Sequence, residues 1–92
     1  MDIGTVVFSK RGRDKGRLFL VIASDNEYVF LSDGALRPLC RPKKKKIKHI
    51  QITNTVFDIS NRNFSGGFKD SDIKKLLRDF ETRNQLNAEN NI

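Results

Sequence analysis

The chain has no tryptophan, and only one cysteine, one histidine, one tyrosine and one methionine in 92 residues. A lone cysteine permits no disulfide within the chain, and with a single histidine it cannot supply the ligands of a zinc site. No Ser/His/Asp set and no phosphate loop of the nucleotide-hydrolase kind is present, and the acidic residues are dispersed. The expectation is a protein that is not an enzyme and needs no cofactor or metal. Long hydrophobic runs are missing too. The longest, Leu18 to Ala23, is far short of a bilayer span. The N-terminus lacks the charged start and apolar stretch of a secretory leader, so a soluble, cytoplasmic protein without membrane contact is expected. With seven phenylalanines and one tyrosine as its aromatics, the chain is better supplied for a small core than for a broad base-stacking platform.

Positive charge is abundant. Eighteen lysines and arginines against eleven acids give a net charge of +7. Such an excess points to a polyanionic partner, RNA, DNA or an anionic surface, without choosing among them. The length allows one small domain with a thin core.

Hydrophobic patterning reads as five short strands. Residues 4–9 place Val6 and Phe8 on one face and Val7 on the other. Leu18 to Ala23 is continuously apolar, as in a strand buried on both faces. After the Asp25-Asn26 turn signal, Tyr28 to Leu31 forms a third strand, with Tyr28 and Phe30 expected in the core. Asp33-Gly34 signals a hairpin into a short edge strand, Ala35 to Leu39, which contains Pro38. Residues 42–46 then read as an exposed charged loop, and Ile47 to Ile52 as the fifth strand. His49 shares parity with Ile47 and is expected to be partly buried and structural. Cys40 is expected to be a small buried apolar residue. The result is a mainly β fold: a small five-stranded antiparallel barrel of the SH3-like type over residues 1–53.

Residues 54–84 read as a linker and a helical extension. A short helix near Thr55 is weakly signalled, and Ser65-Gly66-Gly67 is a break. A second helix follows a cap at Asp70 or Ser71. Its Ile73, Leu76, Leu77 and Phe80 fall at i, i+3, i+4 and i+7, one apolar stripe expected to pack back on the barrel. Residues 85–92, rich in asparagine, read as a flexible tail.

Between the first two strands lies a turn with two glycines, Gly12 and Gly16, and the cations Lys10, Arg11, Arg13, Lys15 and Arg17. Glycines there allow close backbone approach to phosphate. Asp14, the one acid in the turn, is expected to organise it by accepting backbone N–H bonds. A second basic run, Arg41, Lys43, Lys44, Lys45, Lys46 and Lys48, is tethered between two expected strands. Arg37 extends the same face.

The spacing Gly12-x-x-Lys15-Gly16 before an apolar strand, with Gly4, Val6, Val7, Phe19, Val21, Val29, Asp33 and Gly34, resembles the KOW element of ribosomal and transcription-elongation proteins. The likeness covers residues 4–39. Residues 12–16 look most like archaeal and eukaryotic large-subunit ribosomal proteins. The lysine run and Asp72-Ile73-Lys74-Lys75 look like small bacterial KOW-domain proteins. The resemblance implies an SH3-like barrel, RNA binding and a connection to the ribosome and translation. The cations of both runs, with Gly12, Gly16 and Arg37, are then the expected RNA contacts of a monomer. A protein-interaction module of the translation or transcription machinery is the alternative, with the C-terminal helix as a contact for a protein partner.

Overall fold

The structure, a computed structural model, describes residues 1–60 and 63–90, the last six by backbone alone. Among the described residues, five strands, β1 (Thr5–Ser9), β2 (Leu18–Ser24), β3 (Tyr28–Ser32), β4 (Lys43–Lys46) and β5 (Ile50–Val56), precede one α-helix, α1 (Asp70–Asn90). A 3₁₀ turn, Ile47–His49, separates β4 from β5. All pairings are antiparallel, and the order across the sheet is β4-β3-β2-β1-β5.

The two edge strands are thus consecutive in sequence. In a flat sheet of five strands the edges lie about 19 Å apart. A three-residue 3₁₀ turn rises only about 6 Å. The sheet must therefore coil until its edges approach at the 47–49 end. Irregularities between Val21 and Ala23 and between Thr5 and Val7 add local bend. The five-stranded antiparallel architecture is as expected, and because no ladder joins β4 to β5 the curled sheet is not closed.

Coiling gives the sheet two buried faces. Val7, Phe19, Val21, Val29, Leu31 and Ile50 fill the concave side, with Ile47 against them. On the convex side Val6 and Leu20 meet Ile73, Leu77 and Phe80 of α1, flanked by Phe8, Leu18, Phe57 and Leu76. This explains the unbroken apolar run of β2: Phe19 and Val21 serve one core and Leu20 the other, all fully buried. The i, i+3, i+4, i+7 stripe of α1 packs on the sheet as expected, and Phe8 meets Phe80 edge to face with centroids 6.3 Å apart. Each such aliphatic side chain, fully buried, contributes roughly 1.5–3 kcal/mol.

Several expectations are corrected. Residues 35–39 form no strand. Asp33 Oδ1 accepts from the amides of Ala35 and Arg37, at 2.9 and 2.8 Å, and folds the segment into a loop. Asp70 Oδ1 then holds the Leu39 amide at 2.8 Å, docking that loop at the start of α1. The fourth strand is instead the lysine run itself. Residues 47–49 are a 3₁₀ turn, and the last strand runs on to Val56, where a short helix was expected. Tyr28 and Phe30 are only half-buried, because Val29 and Leu31 take the concave side of β3. Cys40 is exposed. Helix α1 continues to Asn90, past the expected start of the tail at Gln85, and residues 91 and 92 lie outside the described residues. Among the described residues, no helix is long and apolar enough to cross a membrane.

Candidate nucleic-acid interface

The loop between β1 and β2 is built on its own backbone. The Ser9 amide donates to the Arg17 carbonyl (3.1 Å) and the Gly16 amide to the Ser9 carbonyl (2.8 Å), closing its base. The Lys15 and Arg17 amides donate to the carbonyls of Gly12 and Asp14 and shape its tip. Gly12 and Gly16 take φ of 84° and 86°, which side chains other than glycine rarely adopt. Apart from Gly16 and its two chain neighbours, no atom lies within 4 Å of the point a Cβ of Gly16 would occupy, so the backbone there is open to an approaching ligand. Lys10, Arg11, Arg13 and Lys15 project into solvent.

Asp14 does not. Its residue is 6% exposed, and its carboxylate faces inward. Lys43 Nζ donates to Oδ2 at 2.6 Å, and Arg17 and Arg37 stand 3.8 and 4.0 Å away. The side chain of Asp14 thus accepts from Lys43 rather than from the backbone amides of its own turn, which corrects the expectation. The Lys43 hydrogen bond, aided by the charges of Lys43, Arg37 and Arg17, holds the carboxyl below its ordinary range despite burial. Arg17 also reaches Asp33 at 3.2 Å. Arg17 and Arg37, both expected phosphate contacts, are therefore shared with this acidic pair.

The lysine run divides by strand parity. Val29 is paired with Lys45 and Leu31 with Lys43, so these two lysines share the concave side. Lys45 is 9% exposed, and its ammonium donates to Ser9 Oγ and the Arg11 carbonyl, each at 2.5 Å. Burial lowers its pKa, as does Lys43, while Asp14 partly offsets them. Lys43 and Lys45 thus tie the β1–β2 loop to β4, which corrects their assignment to an exposed charged loop. Lys44 and Lys46 point the other way. Lys44 is exposed and its ammonium sits 4.3 Å from the centroid of the Tyr28 ring, a cation–π contact.

The 3₁₀ turn completes the site. The Lys10 amide donates to the His49 carbonyl at 2.9 Å, joining the turn to the loop. Lys48 is exposed and His49 half-buried. Desolvation lowers the His49 pKa, as do the nearby charges of Arg11, Lys48, Lys46 and Lys45. Lys10, Arg11, Arg13, Lys15, Lys46 and Lys48 are therefore brought to one end of the curled sheet. Arg41 is exposed in the 33–41 loop, its amide bonded to the Pro38 carbonyl.

Sequence reading missed Ser9 as an anchor and the inward turn of Lys43 and Lys45. The signal was their alternation, which matters only once residues 43–46 are read as a strand. A groove of about 620 Å³ borders the loop, with Phe8, Leu18 and Phe80 beside Arg17 and Arg78. Among the described residues, no group of three or more His, Cys, Asp or Glu could hold a metal ion. No protein-family model and no curated protein matches the chain, so the likeness of residues 4–39 to KOW elements stands on the motif alone.

Proposed function

We propose that the protein is an RNA-binding module that grips structured RNA, ribosomal RNA foremost, through the β1–β2 loop and the 47–49 turn. The observation that carries this reading is the fate of Asp14. With the loop's one carboxylate turned inward to Lys43, Lys10, Arg11, Arg13 and Lys15 face solvent with no acid of their own loop among them. Lys46 and Lys48 adjoin them through the Lys10–His49 hydrogen bond.

Such a constellation neutralises phosphates and releases counterions. The 2.5 Å bonds from Lys45 hold the loop in place before binding, which lowers the ordering cost on association. The Gly12-x-x-Lys15-Gly16 motif favours RNA over DNA through its resemblance to KOW elements. A grip of this kind reads the shape and backbone of an A-form helix more than its bases.

The test is fluorescence anisotropy with a structured RNA, competed by a DNA duplex of equal length at matched salt. Triple reversal of Arg11, Arg13 and Lys15 to Glu is expected to abolish RNA binding without lowering the melting temperature. Undiminished affinity in that variant refutes the assignment. Sedimentation with ribosomal subunits, lost on RNase or high-salt treatment, would place the RNA on the ribosome.

A further inference from the structure

The two edges of the sheet are built differently. The β4 edge follows Pro42 and is four lysines long, the kind of edge that resists pairing with another strand. The β5 edge carries neither a proline nor a lysine, and its one irregularity is the register shift against β1 between Ile52 and Val56. From Ile50 to Phe57 the sequence has no charge, no proline and no glycine, and it is rich in β-branched residues.

Backbone direction can be followed from two hydrogen bonds. The Lys10 amide bonds to the His49 carbonyl, and the Phe57 amide to the Gly4 carbonyl. In an antiparallel ladder the bonded and non-bonded pairs alternate. Ile52, opposite Val7, and Val56, opposite Thr5, then point their N–H and C=O groups away from β1. The two residues are 50% and 51% exposed. Ile3, 53% exposed, lies near the same edge beside Asp58 and Ile59. Three of the five exposed large hydrophobics among the described residues thus cluster at or near one strand edge.

We infer that β5 is a self-association edge, and that a second copy of this chain adds its own β5 antiparallel to the first across a two-fold axis at Asn54. That register sets Ile52 against Val56 of the other copy and Val56 against Ile52. It therefore matches outward-pointing backbone groups with outward-pointing backbone groups and covers four half-exposed apolar side chains at once. No charged residue lies between the paired Ile52 and Val56, so no like charges are opposed within that core. The Gln51 amide, which reaches the Ile52 carbonyl at 3.3 Å, would release it to the partner strand. A seven-residue edge is a small interface beside the roughly 800 Å² per partner of standard complexes. The dimer should therefore be concentration dependent, and the +7 charge of each copy opposes it at low salt.

The experiment is sedimentation equilibrium of the full, nuclease-treated chain at high salt over a roughly hundredfold concentration range, wide enough to cross a weak dissociation constant. The wild type is expected to rise from one chain mass toward twice that mass. Ile52→Lys and Val56→Lys should stay at one chain mass throughout, while Leu36→Lys, at an exposed position in the 33–41 loop, should dimerise like wild type. A wild type that stays monomeric overturns the inference, whether or not some other strand docks there. So do lysine variants that dimerise undiminished. Should the lysine variants fail to fold, Asn54→Cys in a Cys40→Ser background decides. The two-fold axis brings the two new thiols within bridging distance, so oxidation should yield a covalent dimer. Persistent monomer refutes the register.

Discussion

Lys44 and Lys45 are neighbours of the same type, and the pleat of β4 gives them opposite tasks. Lys45 is nearly inaccessible and bonded to Ser9 and Arg11, so Lys45→Glu places a carboxylate against two acceptors. Each hydrogen bond lost from a charged donor costs about 1.5–3 kcal/mol, and a chemical-denaturation curve should register a loss of at least that order. Lys44→Glu removes an exposed ammonium from the Tyr28 ring. It should leave stability within about 1 kcal/mol of wild type. Equal destabilisation by the two substitutions would contradict the parity of β4. Asp14 adds a pH signature. Its pKa is lower in the folded protein than the unfolded value of 3.8. The stability it contributes is therefore present above that value and is lost as pH falls through the folded pKa. Asp14→Asn should lower stability at neutral pH and flatten the acid limb of the melting-temperature profile below about pH 4.

At the scale of elements, α1 closes the convex core, and its anchors carry most of that work. Leu77→Ala should cost about 2–5 kcal/mol in a urea melt, whereas Lys75→Ala on the exposed face should cost less than about 0.5 kcal/mol. β1, β2, β3 and the stripe of α1 were legible because their apolar residues recur at the periods of buried strands and helices. The unbroken apolar run of β2 signals a strand packed on both faces. The lysine strand was not legible. Four consecutive lysines have poor strand propensity, and what makes them a strand is tertiary: the ladder to β3, the carboxylate of Asp14 and the acceptors on Ser9 and Arg11. Residues 35–39 failed in the opposite sense. Asp33-Gly34 did form a turn, but Asp33 Oδ1 captured two following amides and left the chain unable to extend. Of the candidate site, the basic, glycine-bounded character of the β1–β2 loop was legible in its composition. The split of the lysine run into struts and free charges required the register.

For the whole molecule, charge and edge chemistry act at different places: the cations converge at the end of the sheet where β5 begins, and the uncharged β5 edge runs away from it. An antiparallel β5 pair centred on Asn54 sets the two basic turns at opposite ends of the joined strands. His49 lies five residues from that axis, so the two turns stand about 33 Å apart at 3.3 Å per residue. A dimer would then grip two phosphate tracks on one RNA, and the second contact would be intramolecular. Linking two sites in this way can raise apparent affinity by roughly 10²–10⁴ without any new contact. A long structured RNA should therefore bind wild-type protein more tightly than a hairpin too short to reach both turns. Ile52→Lys should erase that advantage for the long RNA alone. The added cation would by itself tighten binding to both RNAs, so a loss confined to the long one cannot come from charge. Salt separates the two layers further. Short-hairpin binding should fall with a log–log slope of roughly 0.7–0.9 per neutralised phosphate, and the long RNA should show a steeper slope in the wild type than in the variant. Parallel slopes would mean that one copy binds alone, even where the dimer forms.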